Sequence, residues 1–152
     1  MITQTEVMPL LLQACPGFLP RWKEHLAYWG KDERGIFNDT SEFALYVVDS
    51  YSRGNVSEFA DLFSLIDRIL AQGDEEARGI ATVGVLESIQ VVASNQTFGA
   101  QPFVQWLGPL SRQAWEEIDE LWRKGGGSLA GVIRAEKRNM QRMRKRWWQF
   151  WR

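Results

Sequence analysis

The two residue types that most often carry nucleophilic or acid–base chemistry occur once each, as His25 and Cys15. His25 stands at helical spacing from Trp22 and Trp29, which favours a packed structural histidine over a catalytic base. Cys15 precedes a Pro-Gly pair without a catalytic signature, which favours a buried thiol. One histidine and one cysteine are too few for a structural zinc site, and no glycine-rich phosphate loop is present. We therefore predict no catalytic residue, no metal site and no cofactor.

Paired carboxylates could hold Mg²⁺ if two helices that carry them faced each other. Pairs at a spacing of three residues include Glu58 with Asp61, Glu116 with Asp119, and Glu117 with Glu120. The run EEIDE (116–120) is similar to half of the metal motif of the all-helical nucleotide pyrophosphatases, but a second EE-x-x-D run is missing. Most of these acids fall opposite apolar stripes, so we predict solvated faces and rank a Mg²⁺-dependent hydrolase last.

Glu87 is an acid in an unexpected place, because it lies between Leu86 and Ser88 in the most hydrophobic segment of the chain. A buried carboxylate must be protonated or paired. We therefore predict a structural pairing with an Arg, a Trp N–H or a Tyr O–H of a neighbouring helix. Asp49 and Asp67 are expected to play similar structural parts at helix ends.

The last thirteen residues, MQRMRKRWWQFWR (140–152), combine cations with aromatic side chains. Three functional interpretations stay open: an amphipathic helix on an anionic membrane, phosphate and stacking contacts with nucleic acid, or docking into a protein groove. A fourth is structural, in which the segment folds back onto the rest of the chain. The residues expected to carry the contact are Arg142, Arg144, Lys145, Arg146, Trp147, Trp148 and Trp151.

Two helices within residues 59–92, hinged at Gly73-Asp74, are expected to organise the fold. The first has a single apolar stripe, whereas the second, over residues 74–94, is apolar on nearly every side, as an enclosed helix would be. Gly73 is expected to end the first helix in a left-handed conformation and Asp74 to cap the second. Glu75 and Glu76 would then stand in its first turn, where negative charge is favourable.

The other helices are predicted from periodicity and from glycine stops. A helix over 5–14 would need Pro9 in its first turn, and a second would begin at Pro20 and stop at Gly30, followed by a polar loop over 31–37. A capping box from Asp39 to Glu42 would open the third helix, which Gly54 ends. Ser57 and Ser111 are expected to cap the fourth and the sixth helix, with a loop over 95–102 between them.

A flexible joint, the glycine run 125–127, divides the chain where the charge changes sign. Residues 1–124, with ten basic and eighteen acidic residues and a net charge of −8, are expected to form an acidic helical domain, and residues 128–152, of net charge +7, a basic amphipathic helix. Glu136 interrupts the apolar stripe of that helix. The stripe consists of Leu129, Val132, Ile133, Met140, Met143, Trp147 and Trp151.

Composition places the chain among ordinary soluble domains, with 45% hydrophobic and 24% charged residues. No apolar run approaches the roughly 20 residues that a membrane span needs, and the first residues lack the basic start of a secretory signal. A lone cysteine favours a reducing compartment. We therefore expect a cytoplasmic protein with an all-α fold, a bundle of six to seven helices with HEAT-like hairpins around the central hydrophobic helix (74–94).

Three runs carry a resemblance to a known family: EFALYVVDSY (42–51), LFSLIDRILAQGDEEAR (62–78) and VGVLESIQ (83–90). They resemble a family of small, uncharacterised, all-helical bacterial proteins, some of which look like immunity proteins of polymorphic toxin systems. The similarity covers about residues 20–122 and omits the basic tail. It implies a helical fold and no catalytic residues.

Taken together, these features predict a non-enzymatic protein-binding protein, most concretely an immunity protein that neutralises a toxin domain by stoichiometric contact. An acidic surface suits a basic partner, because opposite potentials speed encounter. The alternative is a membrane-surface or regulatory module that acts through the basic tail; nucleic acid is the least favoured partner. The residues expected to contact the partner are Asp32, Glu33, Asp39, Asp49, Asp74, Glu75 and Glu76.

Overall fold

The computed structural model describes residues 1–124, and all predictions for 125–152, the glycine joint and the basic helix included, lie outside the described residues. Over the described range no β-strand forms, and a single bridge joins Ile2 to Gly73. The prediction of an all-α fold is confirmed. The α-helices are α1 (Gln4–Ala14), α2 (Leu19–Trp29), α3 (Ile36–Ser52), α4 (Phe59–Gln72), α5 (Glu75–Gly79), α6 (Ser88–Ser94) and α7 (Pro109–Lys124).

The centre of the fold is a continuous helical run in which a π-helix, Ile80–Glu87, joins α5 to α6. This central run packs against α1, α3, α4 and α7, as predicted for the segment 74–94. The prediction that it is enclosed on all sides is wrong in part, because Val91 is 39% exposed. The surrounding helices cover one broad face of the run and leave an outer strip in contact with solvent.

The π-helix was not predicted from the sequence, which indicated one regular α-helix. It meets α3 at a close crossing, where a Cβ atom at Gly84 would lie 2.8 Å from the Thr40 hydroxyl oxygen. Glycine is therefore needed at this position, since any larger residue would push the two helices apart. π-Helical turns are rare and have i→i+5 hydrogen bonds, which leave no simple periodic pattern in the sequence.

The hinge between α4 and α5 differs from the predicted one. Gly73 is extended, with φ −77° and ψ 153°, and not left-handed. The cause is the N-terminal segment: the Ile2 N–H donates to the Gln72 carbonyl at 2.9 Å, and the Asp74 N–H donates to the Ile2 carbonyl at 2.8 Å. The cap is as predicted, because Asp74 Oδ1 accepts the Ala77 N–H at 2.8 Å.

The predicted capping box at Asp39 is wrong. Helix α3 begins earlier, at Ile36, where the Asn38 side chain accepts the Gly35 N–H at 3.0 Å. The polar loop before it is correspondingly shorter than the predicted 31–37. Asp39 lies inside the helix and is buried.

Two further caps and one proline also differ from prediction. Ser57 does not cap α4, and its hydroxyl donates to the Asn55 side chain at 3.1 Å. Ser111 lies inside α7, and its N–H donates to Asp67 Oδ1 at 2.8 Å. Pro9 stands in the second turn of α1 and not in the first. Gly30 and Gly54, with φ of 56° and 76°, end their helices as predicted.

Helix α7 ends the described chain with a partly exposed apolar face. Trp115 and Ile118 are buried, whereas Leu121 and Trp122, one or two turns further along, are exposed to about 40%. As far as residues 1–124 are concerned, none of the helices combines the length and hydropathy needed for a bilayer crossing.

Candidate functional site

Four of the seven predicted partner-binding acids are exposed. Asp32 and Glu33 lie in the loop between α2 and α3, and Glu75 and Glu76 lie in the first turn of α5. No hydrogen bond or ion pair joins these four carboxylates to another described residue. We call these four residues the acidic end.

The two halves of the acidic end are related by the alignment of α3 with the central run. Thr40, in the second turn of α3, meets Gly84 in the middle of the run, and the Tyr51 ring, near the end of α3, lies 4.8 Å from the ring of Phe98, which follows the run. The two elements therefore run in the same direction, so their leading loops lie at the same end of the bundle.

The other three predicted acids each have a partner within the domain. Asp49 forms an exposed ion pair with Arg53 at 3.1 Å, and Asp74 caps α5. Asp39 is 8% exposed and is bound to two other side chains, so its prediction as a surface acid is wrong about its location. Its burial places it out of reach of a partner that docks on the surface.

Asp39 belongs to a buried polar cluster around the only histidine. His25 Nε2 donates to Asp39 Oδ1 at 2.8 Å, and Arg34 Nε donates to the same oxygen at 2.9 Å. The side chains of His25 and Asp39 are 7% and 8% exposed. One carboxylate oxygen therefore ties α2, the following loop and α3 together.

Aromatic rings close this cluster. Trp22 stacks on the imidazole at 5.6 Å with an interplanar angle of 27°, and Trp29 meets it edge-on at 6.3 Å. The Arg34 guanidinium lies 5.4 Å from the centre of the Trp22 ring, a cation–π contact. His25 is thus a packed structural histidine, as predicted. We call these four side chains together with Asp39 the His25 cluster.

Cys15 is also enclosed. It is 1% exposed, and burial raises the pKa of its thiol to about 12, with the nearby charges of Glu58 and Asp61 adding to the shift. A thiol with this pKa is protonated at neutral pH and is a poor nucleophile. The prediction of a buried thiol is confirmed.

Glu58 links α4 to α3 and to the turn that follows α1. Its carboxylate accepts the Tyr46 hydroxyl and, at 2.8 Å, the Gly17 N–H. Burial, followed by this bond to Glu58, raises the pKa of Tyr46 to about 12. Glu58, the first acid of the pair Glu58 with Asp61, is therefore committed to holding three segments together.

The other carboxylate pairs face solvent. Asp119 and Glu120 form ion pairs with Arg123 and Lys124 one helical turn away, at 2.7 and 2.9 Å. Glu117 accepts a hydrogen bond from Gln113 at 3.3 Å. Within residues 1–124, no three side chains of the ligand-forming types are grouped closely enough to hold a metal ion.

Glu87 lies at the end of the π-helix, half-buried, and desolvation raises the pKa of its carboxyl group. Residues 1–124 do not supply the Arg, Trp or Tyr partner that the sequence predicted for it. Asp67 behaves as predicted, because its carboxylate accepts the N–H groups of Leu110 and Ser111 at the start of α7.

Sequence reasoning missed a groove between α1 and α4 with a volume of about 260 Å³. Leu10 and Ala14 of α1 line one side, and Asp61, Leu65 and Arg68 of α4 line the other. The sequence contained one sign of it, because Asp61 and Arg68, an acid and a base seven residues apart, share one face of a helix. We call this feature the α1–α4 groove.

The chain was compared with known proteins at three levels. Neither the curated proteins nor the solved structures gave a match. A family model, described as a domain of unknown function, matches residues 8–123, which takes in nearly all of α1 to α7 and leaves out the basic tail. That description carries no activity, so the resemblance to immunity proteins stays a prediction. By this match the chain belongs to the DUF7674 family.

Proposed function

We propose that this protein is a non-enzymatic binding protein, most concretely an immunity protein that neutralises a bacterial toxin by stoichiometric contact. The observation that carries the proposal is the division of polar groups between interior and surface. His25, Cys15 and Tyr46, which could do chemistry, are committed to contacts within the fold. The four carboxylates of the acidic end are exposed and form no pair with another described residue.

The charge of the domain supports a basic partner. Residues 1–124 have a net charge of −8 and the full chain has one of −1, so the attraction for a cationic protein comes from the exposed acids of this domain, those of the acidic end among them. Lys31 and Arg78 lie close in sequence to the acidic end and make the local electrostatic potential less negative. They could each pair with an acidic side chain of the partner. A toxin that acts on nucleic acid would have the required basic surface, because it must bind phosphates.

The test is co-expression of the full chain with the product of the gene adjacent to its own, with growth and capture of the complex as readouts. We expect growth to be rescued and the two proteins to co-purify. A variant with Asp32→Asn, Glu33→Gln, Glu75→Gln and Glu76→Gln should capture at least about tenfold less partner. Surface carboxylates attract a cationic partner and orient it on contact, and this variant lacks the four of the acidic end.

The matched control is Glu24→Gln with Glu116→Gln, because both residues are exposed acids without a pair among residues 1–124 and both lie outside the acidic end. Thermal melts of both variants separate lost binding from lost folding. The proposal fails if the adjacent product neither binds nor is neutralised. If control and variant weaken binding equally, the acidic end is not the contact surface.

A further inference from the structure

The α1–α4 groove presents charges in a fixed order along α4. Asp61 stands at one end and Arg68 at the other, seven residues and therefore about 10 Å along the helix axis apart. Leu65 lies between them. Neither charge forms a hydrogen bond or an ion pair with another described residue, and both are exposed. The groove thus offers an acid, an apolar surface and a base to whatever occupies it.

The basic tail has the same order in its sequence. Glu136 is its single acid and stands within the apolar stripe, where it needs a cation opposite. Met140 follows one turn later, and Arg144 follows at the edge of the stripe, about 12 Å from Glu136 along a helix. Acid, apolar and basic residues therefore recur at nearly the spacing found on α4.

The chain is long enough to bring the two together. Both α1 and α7 pack against α4, so the groove and α7 are in contact with the same helix. A helix is roughly 10 Å wide, and the three glycines 125–127 can span about that distance. The net charges, +7 for residues 128–152 and −8 for the domain, attract each other.

We propose that residues 128–152 dock as a helix in the α1–α4 groove, antiparallel to α4. Glu136 then pairs with Arg68, Met140 packs on Leu65, and Arg144 pairs with Asp61. Only the antiparallel direction puts opposite charges together at both ends of the groove. The groove is in this view an intramolecular surface, and the docking is independent of whether the protein binds a toxin.

A disulfide trap in the full chain tests the docking. Ser64 lies on the exposed side of α4 between Asp61 and Arg68 and also lines the groove. Ser64→Cys combined with Met140→Cys should form an intramolecular disulfide on mild oxidation, because such a bond needs Cβ atoms about 4 Å apart. Glu24→Cys with Met140→Cys is the control on α2 and should cross-link at least about tenfold less. Cys15 stays reduced because it is buried.

Charge reversal supplies the second arm. In the trapped background, Arg68→Glu should lower the yield of the intramolecular disulfide about tenfold, and Glu136→Arg added to it should restore the yield. Arg68 and Ser64 are exposed, so these variants should fold, which circular dichroism verifies. An unchanged yield in Arg68→Glu, failure of the double reversal to restore it, or a disulfide that joins two chains would overturn the proposal. The last result would assign the groove to a second copy.

Discussion

The His25 cluster and the α1–α4 groove both contain an acid and a base, but they use them in opposite ways. In the cluster, one oxygen of Asp39 receives hydrogen bonds from His25 and Arg34, and tryptophan rings close the site. In the groove, Asp61 and Arg68 lie two helical turns apart and form no pair with another described residue.

The difference follows from distance and burial. Charges in contact in a protein interior interact strongly and are costly to separate, whereas exposed charges about 10 Å apart are screened by physiological salt over a Debye length of about 8 Å. The cluster charges therefore contribute to the fold. The groove charges contribute little to it and are available to an occupant.

The largest expected effect is on unfolding. Asp39→Ala should lower the free energy of unfolding by about 1–3 kcal/mol, because it leaves the buried His25 N–H without an acceptor, whereas Arg34, 34% exposed, can bind water instead. Asp61→Ala, the matched change in the groove, should alter it by no more than about 0.5 kcal/mol. Urea denaturation of both variants measures the two values, and similar losses would remove the distinction between the regions.

A second effect concerns the buried thiol of Cys15, which lies near the start of α4. With its pKa raised from 9.0 to about 12, Cys15 has about 1,000-fold less thiolate at neutral pH than an unperturbed cysteine. A disulfide reagent should therefore react with the native protein at least about 1,000-fold more slowly than with the urea-unfolded chain. Rates within tenfold of each other would mean that this interior is open to solvent.

A smaller effect is expected at Tyr46, whose hydroxyl donates to Glu58. Tyr46→Phe should cost about 1–2 kcal/mol in the free energy of unfolding, since Glu58 keeps its bond from the Gly17 N–H but loses one of two donors. Thermal or urea unfolding measures the change. Tyr28→Phe is the control, because Tyr28 is 83% exposed and should show no loss.

The smallest effect is a pH-dependent one at Glu87. Burial raises the pKa of its carboxyl group above the usual 4.5, so the folded state binds the proton more tightly than the unfolded chain does. Stability then falls as pH rises through this range, and Glu87→Gln should be more stable than the parent protein at pH 7. The difference should vanish below about pH 4.5. Melts across pH measure it, with Glu24→Gln as the exposed control.

Much of the fold could be predicted from local pattern. The apolar stripe of α4 and the stops at Gly30 and Gly54 depend on residues close in sequence, and these features were predicted correctly. The predicted helix starts were wrong where the group that stabilises the start is distant in sequence. Asp67 caps α7 from 44 residues away, and the backbone of Ile2 sets the conformation at Gly73.

The same difference between local and distant contacts decides which parts of the candidate site were predictable. The acidic end was predictable because loops and first helical turns expose their acids. The burial of Asp39 was not predictable, because it depends on the contact between α3 and His25 of α2, fourteen residues earlier in the chain. The α1–α4 groove could not be predicted, because it forms only when α1 packs on α4. The seven-residue spacing of Asp61 and Arg68 was visible in the sequence.

We propose that this protein works through exposed charge and not through its buried polar groups. Isothermal titration with the product of the adjacent gene tests it most directly. We predict one-to-one binding that weakens at least about tenfold in the acidic-end variant and is unchanged in Glu24→Gln with Glu116→Gln. Equal affinity for all three proteins, or no binding to any of them, would contradict the account.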